Sequence, residues 1–356
     1  MSSELELTGH EEARRALGAA LRRGSLPHAL ILSGPSGIGK RRLAQWLVAA
    51  RWCGSPTPPC GTCSSCRKVA GGQHPDLELL SRNPGKDRDP EELGSRTEIT
   101  VDQVRRGLLP ALSLRPLEGR GRAAIVDDAD TLNEAAQNAL LKTLEEPPPA
   151  CLLILVCAHE EALLDTVRSR CQVVRLAPLR DDEMAQLFPG AEPELLRLAR
   201  GRPGRLAELS GLDAHALGVL LQDVLAGAST GTAFARAVQD VVAQHVDAGA
   251  DTAGRPAAAA RAARGDAKDD ATENARRAAT EPAPERDAES SHRLVAELLL
   301  AHWRELLAGP APPAADPEVA QEALLELVSD LGRHIPPSVA WIAAGLALAR
   351  AHSIRI

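Results

Sequence analysis

The sequence predicts an α/β protein, a parallel sheet with helices on both faces, followed by an all-helical C-terminal part. Three observations carry that expectation. Short apolar runs at 29–33 (ALILS), 123–126 (AAIV), 151–157 (CLLILVC) and 172–176 (QVVRL) alternate with segments of helical period. Strands buried on both faces read as continuous apolar runs, and alternation with helices is the pattern of parallel crossovers. A Gly-rich turn directly follows the first run, and beyond Pro178 only helical periodicity remains.

In chain order, residues 11–23 place Ala13, Leu17, Ala20 and Leu21 on one helical face, with Gly24 as the C-cap. The run 29–33 lies between Pro27 and Gly34-Pro35 and reads as a strand feeding a turn and a further helix. The run 123–126 ends in Asp127-Asp128. A helix over 134–146 stops at Pro147-Pro148-Pro149, and the third and fourth runs follow. Residues 181–209 and 212–246 are helical in pattern, with a turn at 201–204. Residues 247–292 are dominated by Ala, Arg, Asp, Glu and Pro. Such a stretch buries too little apolar surface to offset its ordering entropy, so a disordered linker is expected there. Apolar periodicity resumes at 293–307 and 317–351, which should pack with 212–246.

The 356 residues exceed what one core usually supports, so two or three domains are expected. Apolar residues make up 44% and charged residues 25%, which excludes a disordered chain, a collagen and a disulfide miniprotein. Four Trp, two Phe and no Tyr leave few platforms for stacking on single-stranded bases. A net charge of −7 removes any global basic field, so DNA contact would need a local patch. The first residues are acidic without an apolar segment, no run approaches a membrane span, and the seven cysteines are odd in number. A cytosolic protein with thiols and metal rather than disulfides is the expectation.

Gly34-Pro-Ser-Gly37-Ile-Gly39-Lys40-Arg41 fits most of the phosphate-loop pattern. Backbone N–H groups facing outward, a helix N-terminus and a lysine together favour an anion. The pattern departs at Arg41, which stands where a hydroxyl should hold magnesium and does not ligate a cation. The phosphate-binding part of the pattern is intact, whereas the part that supports metal-assisted hydrolysis is not. Asp127 and Asp128 close the 123–126 run as a Walker B element, with Asp127 near a metal position and Asp128 where a glutamate usually polarises water. An aspartate is one methylene shorter, and catalytic geometry tolerates such retreats poorly.

Cys53, Cys60, Cys63 and Cys66 put four thiols within 14 residues, in a loop rich in Pro and Gly. Four thiolates satisfy tetrahedral Zn²⁺ and staple a loop that has no core. Such spacing also occurs in iron–sulfur proteins, but no second cysteine set or trailing Cys-Pro accompanies it, so structural zinc is expected. Arg170, in Thr166-Val-Arg-Ser169-Arg170-Cys171, reads either as a solvated surface arginine or as a fork reaching a phosphate held by a neighbouring subunit. Cys171 is expected in the core. Arg105, Arg106, Arg115, Arg120 and Arg122 form a loose basic stretch, a solvated face or a DNA-backbone contact.

These residues resemble the delta-prime family of bacterial DNA polymerase III clamp-loader subunits, within the AAA+ superfamily. The segments that carry the resemblance are Pro27-His28-Ala29, the loop 34–40, the cysteines 60–66 and Gly72-Gln-His74-Pro75-Asp76-Leu77. They continue with Ile99-Thr-Val-Asp102-Gln-Val-Arg105, Asp128-Ala-Asp130-Thr-Leu-Asn133, the stretch 135–147 (AAQNALLKTLEEP) and Ser169-Arg170-Cys171-Gln172. They cover about residues 8–210. The resemblance implies an ATPase-like P-loop sheet domain over 1–178 with a zinc module at about 52–68, a helical lid over 179–211, and an all-α collar over 212–356 interrupted by the linker. It implies a stator subunit that presents Arg170 to ATP on an adjacent gamma/tau motor. The implied partners are gamma/tau and delta subunits, the sliding clamp and primer-template DNA, with no membrane. The alternative is a gamma/tau-type motor that hydrolyses ATP itself. Arg41, Asp128 and the apolar strand end Leu155-Val-Cys157-Ala158 speak against it. Arg205 lies one place later than a motor's lid arginine. A zinc-containing repair ATPase or helicase would need an intact hydrolytic set and further motifs that the sequence lacks.

Overall fold

The computed structural model describes residues 5, 7–82, 98–118, 120–191, 193–209, 214–253, 288–308, 316–331 and 336–353. Its strands are β1 (Ala29–Ser33), β2 (Leu77–Leu80), β3 (Ala123–Val126), β4 (Leu152–Cys157) and β5 (Gln172–Arg175). They form one sheet in the order β2-β3-β4-β1-β5, and every pairing is parallel. β1 sits between Leu30↔Ile154 on one side and Leu30↔Gln172 on the other. Four of the strands are the apolar runs expected from sequence. The fifth, β2, is added by the structure: four residues with Glu78 among them, on an edge where burial need not be continuous.

Alternate residues of the central strands serve two cores. On one face Leu30, Leu32, Ile125, Ile154 and Val156 pack with Leu43, Leu47 and Val48 of α2 (Lys40–Trp52) and Leu17 of α1 (Glu11–Arg22). On the other, Ile31, Ala124, Val126, Leu153 and Leu155 pack with Ala136, Leu140 and Leu144 of α6 (Glu134–Glu145). The same core takes Val104, Leu108 and Leu112 from the helical stretch formed by α4 (Val101–Gln103), a π turn over Val104–Leu108, and α5 (Leu109–Ser113). α6 starts where Asn133 Oδ1 accepts the Ala136 N–H at 2.9 Å, an N-cap that satisfies one orphan donor. Two short helices complete the domain's loops: α3 (Ser64–Ala70) after the cysteines and α7 (Asp165–Arg168) before β5.

Contacts divide the chain into two units: 1–189 with 200–204, and 190–199 with 205–356. The segment expected as a lid is shared between them. α8 (Asp181–Leu187) falls in the first and α9 (Pro193–Ala199) in the second, while α10 (Pro203–Leu209) is divided. The second unit continues as α11 (Ala214–Leu225), α12 (Gly231–Ala253), α13 (Ala288–Ala308), α14 (Pro317–Leu331) and α15 (Pro337–Ser353). Helix therefore covers both ends of the expected 247–292 linker, because α12 runs through Ala253 and α13 begins at Ala288; residues 254–287 lie outside the described residues. Among the described residues, no helix is long and apolar enough to cross a membrane.

The helical unit centres on Phe234, Trp303 and Trp341, all fully buried. α12 and α15 touch through glycines: a Cβ on Gly345 would lie 2.2 Å from the Gly231 carbonyl oxygen, so only a bare backbone allows the approach. The Trp341 Nε1–H donates to His292 Nδ1 at 2.9 Å. Burial holds this imidazole below its usual pKa of 6.5, so the unfolded chain binds the proton first as pH falls. The contribution is present above about pH 6.5 and is lost as pH drops toward the lowered folded value. Resistance to urea should thus decline from about pH 7 to about pH 5, and His292→Gln should flatten part of that slope. An unchanged slope in the variant would count against the assignment.

Candidate functional site

β1 ends at Ser33 and α2 begins at Lys40, so residues 34–39 must turn sharply at the carboxyl edge of the sheet. The chain leaves β1 for the β2 edge and builds back toward it, which makes β1 the strand where the direction of connection reverses. Ligand crevices of open α/β sheets form at such places. Gly34, Gly37 and Gly39 take φ of 149°, 79° and 94°, conformations that favour glycine. A Cβ on Gly34 would lie 2.3 Å from the Leu176 carbonyl oxygen. The Gly204 N–H donates to the Gly37 carbonyl at 2.8 Å and anchors the turn. Lys40, 8% exposed, donates from Nζ to the carbonyls of Gly34 at 2.6 Å and Pro35 at 2.8 Å. Burial lowers its pKa, opposed by Cys157 and by Asp127, Asp130 and Asp128.

The three acids lie beyond β3, each with a partner. Asp127 Oδ2 is 3.5 Å from Arg41 Nη1. Asp128, in the left-handed region at φ 52°, is 3.9 Å from Arg82 Nε. Its carboxyl is pushed above the usual range by burial and then by the Asp127 charge. Asp130 Oδ2 accepts the N–H groups of Ala158 at 3.0 Å and His159 at 3.2 Å, joining the acidic segment to the end of β4. Lys40, Arg41, Asp127 and Asp128 thus share one end of the sheet. For magnesium the fit fails, because the helix offers a guanidinium where a ligating hydroxyl is needed, and the nearest carboxylate already faces it. What remains is a glycine turn with a buried lysine on its carbonyls and an arginine beside it.

The four cysteines converge: the Sγ atoms of Cys53, Cys60, Cys63 and Cys66 lie within 4.8 Å of one another. Tetrahedral ligation at about 2.3 Å brings sulfurs to about 3.8 Å, a small contraction from here. The N–H groups of Ser55 and Cys60 donate to Cys53 Sγ, and that of Cys63 to Cys60 Sγ, each at 3.4 Å. Donors from Cys63 and Thr62 lower the Cys60 thiol to about 6, whereas burial raises Cys66. Four soft donors oriented by amides suit a closed structural metal site.

Beside the thiols lies a polar pocket of about 200 Å³ that includes Trp52, His74, Asp76, Glu118 and Arg120. His74 stacks on Trp52 with ring centroids 4.2 Å apart. It accepts the Asp76 N–H at Nδ1, 3.1 Å, so its proton sits on Nε2, 3.2 Å from Glu118. Asp76 accepts the N–H groups of Leu117 and Glu118 at 2.7 and 2.8 Å. Arg122 is buried, 3.5 Å from Asp76, and donates to the carbonyls of Pro75 and Arg115. Arg120 donates to the Cys53 carbonyl at 3.0 Å. Arg120 thus touches the cysteine loop while remaining exposed, and Arg122, being buried, does not belong to the basic face expected from sequence.

Arg170 sits between α7 and β5. It donates from Nη1 to the Thr166 carbonyl at 2.9 Å and from Nη2 to Glu145 at 2.6 Å. Gln172 of β5 pairs with Leu30 near the start of β1, while the phosphate loop follows Ser33 at its end. The arginine thus stands at the opposite end of the sheet from its own loop, about 13 Å away along the strands alone. Gln137, in the first turn of α6, holds the segment that leads into α7: its Nε2 donates to the Leu132 and Ala162 carbonyls, and its Oε1 accepts the Leu164 N–H at 2.7 Å. No local pattern gives Gln137 or Asp130 these roles, since their partners lie far along the chain. Cys171 is partly buried against the sheet core, and burial raises its thiol to about 12. Arg205 donates to Glu297 at 2.8 Å.

Residues 9–180 match the family described as DNA polymerase III, delta subunit. The DNA polymerase III subunit delta' of Pseudomonas aeruginosa is 38% identical over 183 residues, 51% of this chain and 49% of that protein. The tau subunit of Escherichia coli is 30% identical over 223 residues, 60% of this chain and 32% of that protein. These matches thus span half or less of the curated relatives' length. Among solved structures, a DNA polymerase III gamma subunit-related protein from Thermotoga maritima has a TM-score of 0.48 at 15% identity, covering 94% of this chain and 99% of its own.

Proposed function

We infer that this chain, a relative of the delta' subunits of DNA polymerase III over residues 9–180, acts as a stator subunit of a clamp loader. In this reading it helps load a sliding clamp onto primer-template DNA and lends Arg170 to ATP held by a neighbouring gamma/tau-type motor. The observation that carries it is the position of Arg170, half-exposed and at the far end of the sheet from the chain's own phosphate loop. An arginine so placed serves a phosphate only on another molecule. Its planar fork suits the charge that develops in phosphoryl transfer. The weakened loop supports the same division of labour: Arg41 replaces the magnesium hydroxyl and Asp128 the longer catalytic glutamate, so hydrolysis falls to the partner.

Cys53, Cys60, Cys63 and Cys66 hold a structural Zn²⁺ in this proposal, which ties the loop after α2 to α3. Gamma/tau and delta subunits are the partners through the helical unit, and the assembly works in the cytosol. The higher identity to a delta' subunit, 38% against 30% for a tau subunit, favours the stator over the motor. Turnover of ATP tests it. The purified chain alone should be silent, and a mixture with motor and delta subunits, clamp and primed DNA should turn over. Turnover by the isolated chain that disappears with Lys40→Ala would make it a motor instead.

A further inference from the structure

The same end of the sheet that fails as a magnesium site carries its own cation. Arg41 lies in the first turn of α2, at the position from which a hydroxyl would face the metal, and its Nη1 is 3.5 Å from Asp127 Oδ2. We propose that the loop binds the terminal phosphates of a nucleotide without a divalent metal, with the Arg41 guanidinium bridging phosphate and Asp127 as the metal would. This rests on reading residues 34–40 as a phosphate loop, and it stands apart from the assignment of Arg170.

Charge bookkeeping supports the bridge. Three carboxylates at one end of a sheet would repel a polyphosphate unless each were answered. Asp127 faces Arg41, Asp128 faces Arg82, and Asp130 is held by two backbone N–H groups. No metal is needed to complete that set. Among the described contacts Arg41 engages Asp127 through Nη1 alone, which leaves Nε and Nη2 for a phosphate. Its side chain is 46% exposed, and a long exposed pair contributes no more than about 1 kcal/mol, so the guanidinium can readjust cheaply. The fork geometry matches phosphate oxygens two at a time, which a lysine does not. Lys40 lies buried beside it with its ammonium on the loop carbonyls, positioned to exchange them for anionic oxygens. An incoming Mg²⁺ would instead have to displace the guanidinium from Asp127.

Binding of fluorescently labelled ADP and ATP to the isolated full chain, read by anisotropy, tests this directly. Wild type should bind equally in excess EDTA and in excess Mg²⁺, within about threefold. Arg41→Thr, which restores the hydroxyl, should lose about tenfold or more in EDTA and regain binding on adding Mg²⁺. Arg41→Lys keeps the charge without the fork and should bind more weakly while staying indifferent to metal. It remains informative if the threonine variant fails to fold. Lys40→Ala should abolish binding, and inorganic pyrophosphate should compete. Binding by wild type only with Mg²⁺, or none under either condition, overturns the proposal. So does full affinity of Arg41→Thr in EDTA, retained binding by Lys40→Ala, or no competition by pyrophosphate. Because no partner is present, a negative result leaves the stator reading intact, while a silent Arg170 assay leaves this one intact.

Discussion

Replacing Arg170 with Ala should slow ATP hydrolysis by the reconstituted assembly on the order of 10³-fold at the one site it faces. The chain itself should melt unchanged. The side chain is 36% exposed and paired with Glu145 at a surface that is likewise open. Such a pair contributes only about 0–1 kcal/mol, so its removal leaves the fold in place. A large kinetic effect without a stability effect is what an arginine acting on another molecule produces. Arg170→Lys should recover part of the rate, since charge is kept and the planar fork is lost. Because Gln137 fixes the segment between α6 and α7 through both ends of its amide, Gln137→Ala should lower the same rate by misplacing Arg170. Full turnover by the Arg170→Ala assembly would remove the stator reading's central residue.

Cys63→Ser should release bound zinc and lower the melting temperature by on the order of 5 °C or more. A loop with proline at positions 56, 58 and 59 has little apolar surface of its own. Its order comes from the sulfurs, from Arg120 on the Cys53 carbonyl, and from the packing of Cys66 and Val69 against α2. With Ser at position 63, Cys53, Cys60 and Cys66 remain as three thiols without the fourth ligand that a tetrahedral metal needs. Trp52 adjoins Cys53, so its fluorescence should report the loosening. Metal content by a chromogenic chelator and a thermal scan on the same samples decide the matter. Zinc release with an unaltered melting profile would mean that the cysteine loop is not a structural staple.

Much of this architecture is legible in the sequence. Continuous apolar runs at 29–33, 123–126 and 151–157 became β1, β3 and β4 because a strand covered on both faces has no polar position to alternate with, while 172–176 became the edge strand β5, whose Gln172 and Arg175 are exposed. β2 escaped because Leu77-Glu-Leu-Leu80 is short and carries a charge on an edge. The phosphate loop and the cysteine spacing were legible for a different reason: their chemistry is written within a dozen or so consecutive residues. The basic stretch misled. Arg122 is charged in any sequence reading, yet it is buried and donates to the Pro75 carbonyl.

By itself, then, the sequence determined the α/β class, the glycine turn after β1, the substitution of Arg41 for a hydroxyl and the four-thiol set. These follow from period, spacing and residue type over short distances. Tertiary structure alone decided that Arg41 meets Asp127, 86 residues away, that Asp130 grips the end of β4, and that Asp76 ties down the backbone at Leu117 and Glu118. It also decided that Arg170 stands across the sheet from Lys40, since strand order is set by which crossovers bury both faces, and no local pattern records that choice.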